Sequence, residues 1–516
     1  MRVCLVPLLA LATAAVALLA SGCGGGDSGS DPAAVAPPGS PVFVEVAVRP
    51  EGELQSNLEA LAKNVAGVDD LGSLVLGLVE ESTTADEKKL NYEKEVEPWL
   101  GEKAGIALIR YDGADFTGYV IGIALTDSGA AQEFIDDNAD EVASEPEYEG
   151  VKFKVEEDGE AIGVVGDYLV FAETEESFKA AIDAESGESL ADVDAYEEAV
   201  DAAPDGAFAN VYADVGGLIE ESGGAIDAET QQFLETTGIE PKEATALASV
   251  VPGANQVEID FVTDLVGDEL PAGDASELLG SLPGGSLAAF ATSEFGSRVT
   301  EAIDRLDENG IPGEVEPNEL KSALKGAGID LDQIGGSISD LAAFAQGNTG
   351  DNLTGAVVLT TTDAKQASNT VSNIGLLLRT SQTPGVTAIS ESGVSGFSIR
   401  DPDLGSQPLV VAAKGEKIAI SYGPRAAAAA LTAGEGSTLA QNPAFEAAGE
   451  ALGDTPISGF VSGPATVALL ENMLSAGDAT ELEEVRPLLD KVEYLAVGTG
   501  SEDDLATSKL VVGFTK

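Results

Sequence analysis

Most enzymatic proton and acyl transfer runs through histidine or cysteine, and this sequence has no histidine and only Cys4 and Cys23. Ser-His-Asp and Cys-His machinery, HExxH zinc sites and most transition-metal sites are thereby excluded. The sequence contains no Walker A loop, no GxGxxG after a strand and no GxSxG elbow. One tetrad keeps a catalytic spacing: Ser322–Ala323–Leu324–Lys325 would set serine and lysine on one helical face, as SxxK chemistry requires. Against it, Leu320 and Leu324 read as the buried stripe of that helix, leaving Ser322 and Lys325 on the wet side without a Lys-Thr-Gly or Ser-Asp-Asn partner. Paired carboxylates could hydrolyse glycosides, but 90 acidic residues place some pair in every neighbourhood. Trp99, the sole tryptophan, reads as a core plug at a strand entrance rather than a sugar platform. No EF-hand loop is present; Asp401–Pro402–Asp403 and Glu502–Asp503–Asp504 read as solvated turns, and residues 80–98 as an exposed helix or loop. No catalytic residue, cofactor-binding residue or metal ligand is assigned.

Cys23 is different. It follows the positive Arg2, an apolar run over Leu5–Ala20 and the small residues Ser21 and Gly22. That order is a secretory signal peptide. The competing reading is a retained transmembrane helix, but a span needs about 20 apolar residues and a basic stop-transfer flank, and this run is shorter and Ala-rich. The ending LLASGC resembles a bacterial lipoprotein lipobox, although Ala20 stands where leucine is preferred. The resemblance implies cleavage after Gly22 and lipid attachment at Cys23. One acyl chain holds a protein only marginally, at about 0.8 kcal/mol per buried CH₂, so several chains on one cysteine would hold durably. Cys4 leaves with the signal peptide, so no intrachain disulfide can form, and lipidation caps the one remaining thiol.

The formal net charge is −64, and a surface this acidic repels nucleic acid and anionic headgroups. No nucleic-acid partner is expected. The acidity reads as a solubility or salt-tolerance adaptation, with a cation-binding face as the alternative. Hydrophobic residues at 44% argue for large cores rather than disorder.

These residues must be carried by definite elements. Residues 24–38 are Gly/Ser/Asp/Pro-rich and read as a flexible tether. Val42–Val48 is a β-branched strand, and Leu54, Leu58, Leu61 and Val65 form a helical stripe. Strands follow at 103–111 and 119–125, and Thr126–Asp127 can cap a helix over 128–142. A meander at 151–155, 161–165 and 168–172 leads to a helix capped by Thr174 and stopped by Gly187. Another helix at 194–202, a strand at 207–213 and a hairpin at 250–263 complete the series.

From about residue 281 the order begins again. Thr117–Gly118–Tyr119–Val120–Ile121 matches Thr354–Gly355–Ala356–Val357–Val358, and each leads to a Thr–Asp helix start. Ser189–Leu190–Ala191 with Ala195–Tyr196–Glu197 matches Thr438–Leu439–Ala440 with Ala444–Phe445–Glu446. The start into VFVEVAV, Glu97–Pro98–Trp99–Leu100–Gly101 before a strand, and the Thr–Gly–Tyr–Val strand resemble the family catalogued as DUF3352, bacterial exported proteins of unknown function. The resemblance covers most of residues 37–516 and implies an exported α+β protein with no catalytic residues to transfer.

The expected fold is α+β: two similar modules, 39–270 and 281–516, each a mostly antiparallel sheet with helices packed on one face. The expected segments before them are a signal peptide at 1–22 and a lipidated cysteine with tether at 23–38. The leading function is a non-enzymatic, membrane-anchored extracytoplasmic lipoprotein, a binding or structural module of the cell envelope. Its partners would be membrane lipid through acylated Cys23 and an envelope protein. The alternative is a carrier for an apolar or lipid ligand between the modules; a second alternative is a histidine-free hydrolase.

Overall fold

The computed structural model describes residues 30–67, 92–111, 116–139, 142–221, 244–264, 273–309, 319, 321–322, 325, 335–391, 393–473, 485–502 and 505–515. The fold is α+β around an antiparallel sheet. Its strands are β1 (Val42–Ala47), β2 (Leu100–Tyr111), β3 (Phe116–Leu125), β4 (Val142–Ser144), β5 (Glu147–Tyr148), β6 (Val151–Glu156), β7 (Ala161–Val165), β8 (Tyr168–Ala172), β9 (Ala209–Asp214), β10 (Thr245–Gly253) and β11 (Gln256–Thr263). They continue with β12 (Ala288–Thr292), β13 (Ile338–Gln346), β14 (Thr354–Thr361), β15 (Val386–Glu391), β16 (Val394–Ile399), β17 (Leu409–Lys414), β18 (Lys417–Tyr422), β19 (Ile457–Ser462), β20 (Val492–Glu502) and β21 (Leu505–Phe514).

The pairing is centred on one seam. β11 and β21 pair antiparallel from Gln256↔Gly513 to Thr263↔Ala506. Outward from β11 the order is β10, β9, β1, β2, β3, β8, β7, β6, β4. Outward from β21 it is β20, β19, β12, β13, β14, β18, β17, β16, β15. The sheet is open among the described residues, because β4 has only β6 beside it in the sheet and β15 only β16. Closure into a barrel would require two neighbours for every strand.

Helices cover both faces of the sheet, not the one face expected from sequence. Side chains alternate across a strand. Ile121 and Ile123 of β3 pack with Ile135 of the Ser128–Asn138 helix, whereas Val120 and Ala124 pack with Phe178 and Ile182 of the Glu175–Ser186 helix. The C-terminal half behaves alike. Val358 joins Ala430 of the Pro424–Leu431 helix, and Leu359 joins Val371 of the Ala364–Thr380 helix. A strand with both alternations apolar is buried on both sides. The helix starts follow the expected chemistry: Asp127 caps Gly129 and Ala130, Thr174 caps Ser177, and Asp363 caps Lys365 and Gln366.

The expected tether is shorter than 23–38. Pro32–Val35 is a 3-10 turn capped by Asp31, and Ala33, Val35 and Ala36 are fully buried. It lies against glycines of β2 and β3. A Cβ on Gly105 would stand 2.5 Å from the Phe43 ring and 2.9 Å from Pro32 Cβ, and one on Gly122 would collide with Val35. The glycines leave the room this segment occupies. Burying Val35 and Phe43 contributes about 2 kcal/mol each.

Candidate functional site

The seam strands alternate strictly, and the sides are reversed from the usual arrangement. On one face stand Glu258, Asp260 and Val262 of β11 with Thr507, Lys509 and Val511 of β21; on the other stand Ile259, Phe261, Ser508, Leu510 and Val512. The charged side is the covered one. Lys509 Nζ donates to Glu258 Oε2 at 3.1 Å and lies 3.4 Å from Asp260 Oδ1, with the three side chains only 15–21% exposed. Among the described residues the apolar side is the open one: Phe261 is 42% exposed.

The charged side continues as a buried polar row, each member opposite the next: Glu45, Asn210, Ser249, Asp260, Lys509. Glu45 accepts from Lys103 at 3.1 Å and from Asn210, and Ser249 Oγ donates to Asn210 Oδ1 at 2.8 Å. Burial raises the Glu45 carboxyl above the usual glutamate range, against the lowering pull of Lys103. Burial likewise raises Asp260, opposed by Lys509. Burial alone would lower Lys509, but the two carboxylates outweigh it and hold the ammonium above its ordinary value. Asp260 Oδ2 is buried without a hydrogen-bond partner.

The opposite face carries an apolar row through both halves. It passes from Val46 through Ala209, Val250, Ile259, Leu510 and Val497 to Phe290, Val357 and Ile420, with no polar side chain at any pairing step. Val497, Phe290 and Ile420 are 38%, 47% and 39% exposed; Val211 and Phe261, one step along the strands, are 38% and 42% exposed. From β9 to β18 these five span nine strand intervals, roughly 43 Å at about 4.8 Å per interval. Phe290, Val357, Ile420 and Val461 also line an open apolar depression of about 530 Å³.

Two acidic features lie elsewhere. Asp194, Glu197, Glu198 and Asp201 of the Asp194–Asp201 helix line a groove of about 410 Å³ over Val262, Leu505 and Thr507. Glu156, Asp158 and Glu160 bring carboxylate oxygens within 4.8 Å of one another at the β6–β7 turn. Two of those side chains are engaged: Asp158 accepts from the Glu160 amide within the turn, and Glu160 accepts from the Tyr119 hydroxyl of β3.

Cys23 and Gly22 lie outside the described residues, as do Asp503, Asp504 and residues 80–91. Ser322 is exposed, and its hydroxyl donates to the Glu319 carbonyl of its own turn at 2.9 Å; Lys325 is exposed too. Trp99 is a core plug, 3% exposed, its indole donating to the Glu95 carbonyl and its ring 5.1 Å from Phe134. Asp401 caps the 3-10 turn Pro402–Leu404. Sequence reasoning missed the seam because its charges are isolated in strands read only as a hairpin. The available signal was alternation of Glu258 and Asp260 with Ile259 and Phe261, matched by Lys509 between Ser508 and Leu510.

A family model described as "Protein of unknown function (DUF3352)" matches residues 3–513. No curated protein matches the chain. Among solved structures, crystal form I of TP0453 is similar at 9% identity and TM-score 0.25, covering 48% of this chain and 82% of that one. Crystal form IV of TP0453 is similar at 8% identity and TM-score 0.19, covering 78% of this chain and 97% of that one.

Proposed function

We propose, from the premise that this chain belongs to the DUF3352 family, that it is a membrane-anchored extracytoplasmic lipoprotein that binds an apolar ligand without catalysis. The observation that carries the binding role is the reversed seam, with ions covered and Phe261 open. Contiguous exposed apolar surface on a folded chain marks a binding surface. The row holds no charge, and a chain of net charge −64 disfavours anionic headgroups, so the ligand is a neutral hydrocarbon chain. One leaflet's acyl chains span about 15 Å, half of a 30 Å bilayer core; the exposed line of roughly 43 Å suits a longer hydrocarbon or several chains end to end.

The anchor is Cys23, acylated after cleavage behind Gly22. Seven residues, 24–30, separate it from the Asp31 cap. Their reach is at most about 25 Å, which would hold the fold close to the membrane; Asp31 itself lies on the Glu45 side of the sheet, opposite the apolar row. Among the described residues no helix is long and apolar enough to cross a membrane.

The chain is two copies of one module in this reading. Support comes from the matching strand orders on either side of the seam and from matching bonds. Leu190 N donates to Ala36 O at 2.9 Å, and Leu439 N to Leu282 O at 2.8 Å, where each copy's entry segment meets its 3-10 turn.

Native mass spectrometry on protein taken from its own membrane tests the proposal. The expected result is a co-purifying neutral apolar molecule, absent from a Phe261→Asp/Phe290→Asp variant. Protein that is ligand-free and takes up no hydrocarbon from neutral vesicles would overturn it. A Cys23→Ala chain should be released to the medium; retention in the membrane would instead favour an uncleaved helix.

A further inference from the structure

We infer that the β11–β21 seam is a partner-selective interface, in which Asp260 and Lys509 make one module accept the other and refuse a second copy of itself. This rests on the two-copy reading. Equivalent positions follow from the pairing. Leu247 stands between Tyr212 and Val262 as Ala496 stands between Phe460 and Val511, so Val262 corresponds to Val511. Two residues back along each strand, Asp260 corresponds to Lys509. These two stand directly opposite each other in the seam. A local two-fold axis therefore passes between them.

At the axis of a symmetric pairing a residue meets its own copy. A β11–β11 pairing in this register would put Asp260 against Asp260, with both copies of Glu258 on the same face beside them. Four carboxylates would crowd one covered site. A β21–β21 pairing would put Lys509 against Lys509. Only the mixed pairing sets opposite charges face to face, with Lys509 shared by Asp260 and Glu258. The backbone would form the same ladder in all three pairings, so the side chains at the axis make the selection. A single polar position at a symmetric interface fixes register in the same way, at some cost in stability. The excluded partner is thus a second copy of this chain bound through like modules. The two halves remain together because they share one chain.

Hydrogen exchange on β11 and β21 and sedimentation over a concentration series test the inference in the full chain. In the wild type the seam amides should be protected and the protein monomeric. Lys509→Asp should lose seam protection. The double reversal Asp260→Lys/Lys509→Asp should regain it, since the ammonium moved onto β11 would again stand between two carboxylates. A double reversal no better protected than Lys509→Asp would overturn the inference. Unprotected seam amides in the wild type would instead remove the two-copy arrangement itself.

Discussion

Asp260 Oδ1 and Lys509 Nζ lie 3.4 Å apart across the pairing of β11 with β21, and Glu258 Oε2 holds the same ammonium at 3.1 Å. One cation thus neutralises two carboxylates that burial has taken largely out of water. The energetic consequence is asymmetric. Removing all three charges leaves a tolerable apolar site, whereas removing the cation alone leaves two uncompensated anions.

Lys509→Met should therefore destabilise the protein by about 3 kcal/mol, while adding Glu258→Gln and Asp260→Asn should recover most of the loss. Urea denaturation at neutral pH measures it. A Lys509→Met midpoint indistinguishable from wild type would mean that water already solvates the carboxylates.

Glu45 gives a pH dependence of defined sign. Burial raises its pKa above the ordinary 4.5, with Lys103 opposing and Asp31 reinforcing. A carboxyl raised on folding favours the folded state while protonated. That contribution is full below the unfolded value and is lost as pH rises through the folded one. Glu45→Gln stays neutral throughout, so its thermal midpoint relative to wild type should climb as pH rises from the ordinary 4.5 through the raised folded value. Lys103, 42% exposed, remains solvated without its partner. A midpoint difference that is flat or falls with pH would contradict the buried placement of Glu45.

The α+β class, the caps at Asp127, Thr174 and Asp363 and the role of Trp99 were legible in the sequence, because each depends on residues within a few positions. The placement of helices was less so. Tyr119–Leu125 reads as a strand, and only its unbroken burial from Val120 to Ala124 says that helices lie on both sides. The segment at 31–38 misled for a related reason. Its Ala/Pro composition is that of a linker, and its burial depends on Gly105 and Gly122, more than 60 residues away. The seam lay furthest out of reach, since Asp260 and Lys509 meet only once both halves are folded.

The apolar face predicts separation of binding from stability. Phe261 and Phe290 are 42% and 47% exposed, so replacing either by serine should cost less than about 1 kcal/mol. Binding of a neutral probe such as N-phenyl-1-naphthylamine should nevertheless fall severalfold. Leu377→Ser on the Ala364–Thr380 helix, 63% exposed and off the strands of the apolar row, is the control that should leave binding unchanged. Equal loss in all three variants would mean that the probe reads general surface hydrophobicity.

The entry segment should behave as core. Tyr168 donates its hydroxyl to the Asp31 carbonyl at 2.8 Å, Leu190 N donates to Ala36 O at 2.9 Å, and Val35 fills the space above Gly122. Val35→Ala should cost about 2 kcal/mol, the loss of a buried branched side chain with no neighbour free to close the gap. Asp31→Ala should cost about 1 kcal/mol through the lost cap. A chain starting at residue 39 loses both and also uncovers the Phe43 ring, so limited proteolysis should cut it within β1 to β3 under conditions that spare a chain starting at residue 30. Equal resistance of the two chains would return residues 31–38 to the tether, because a segment that contributes nothing to protection is not packed, whatever its composition.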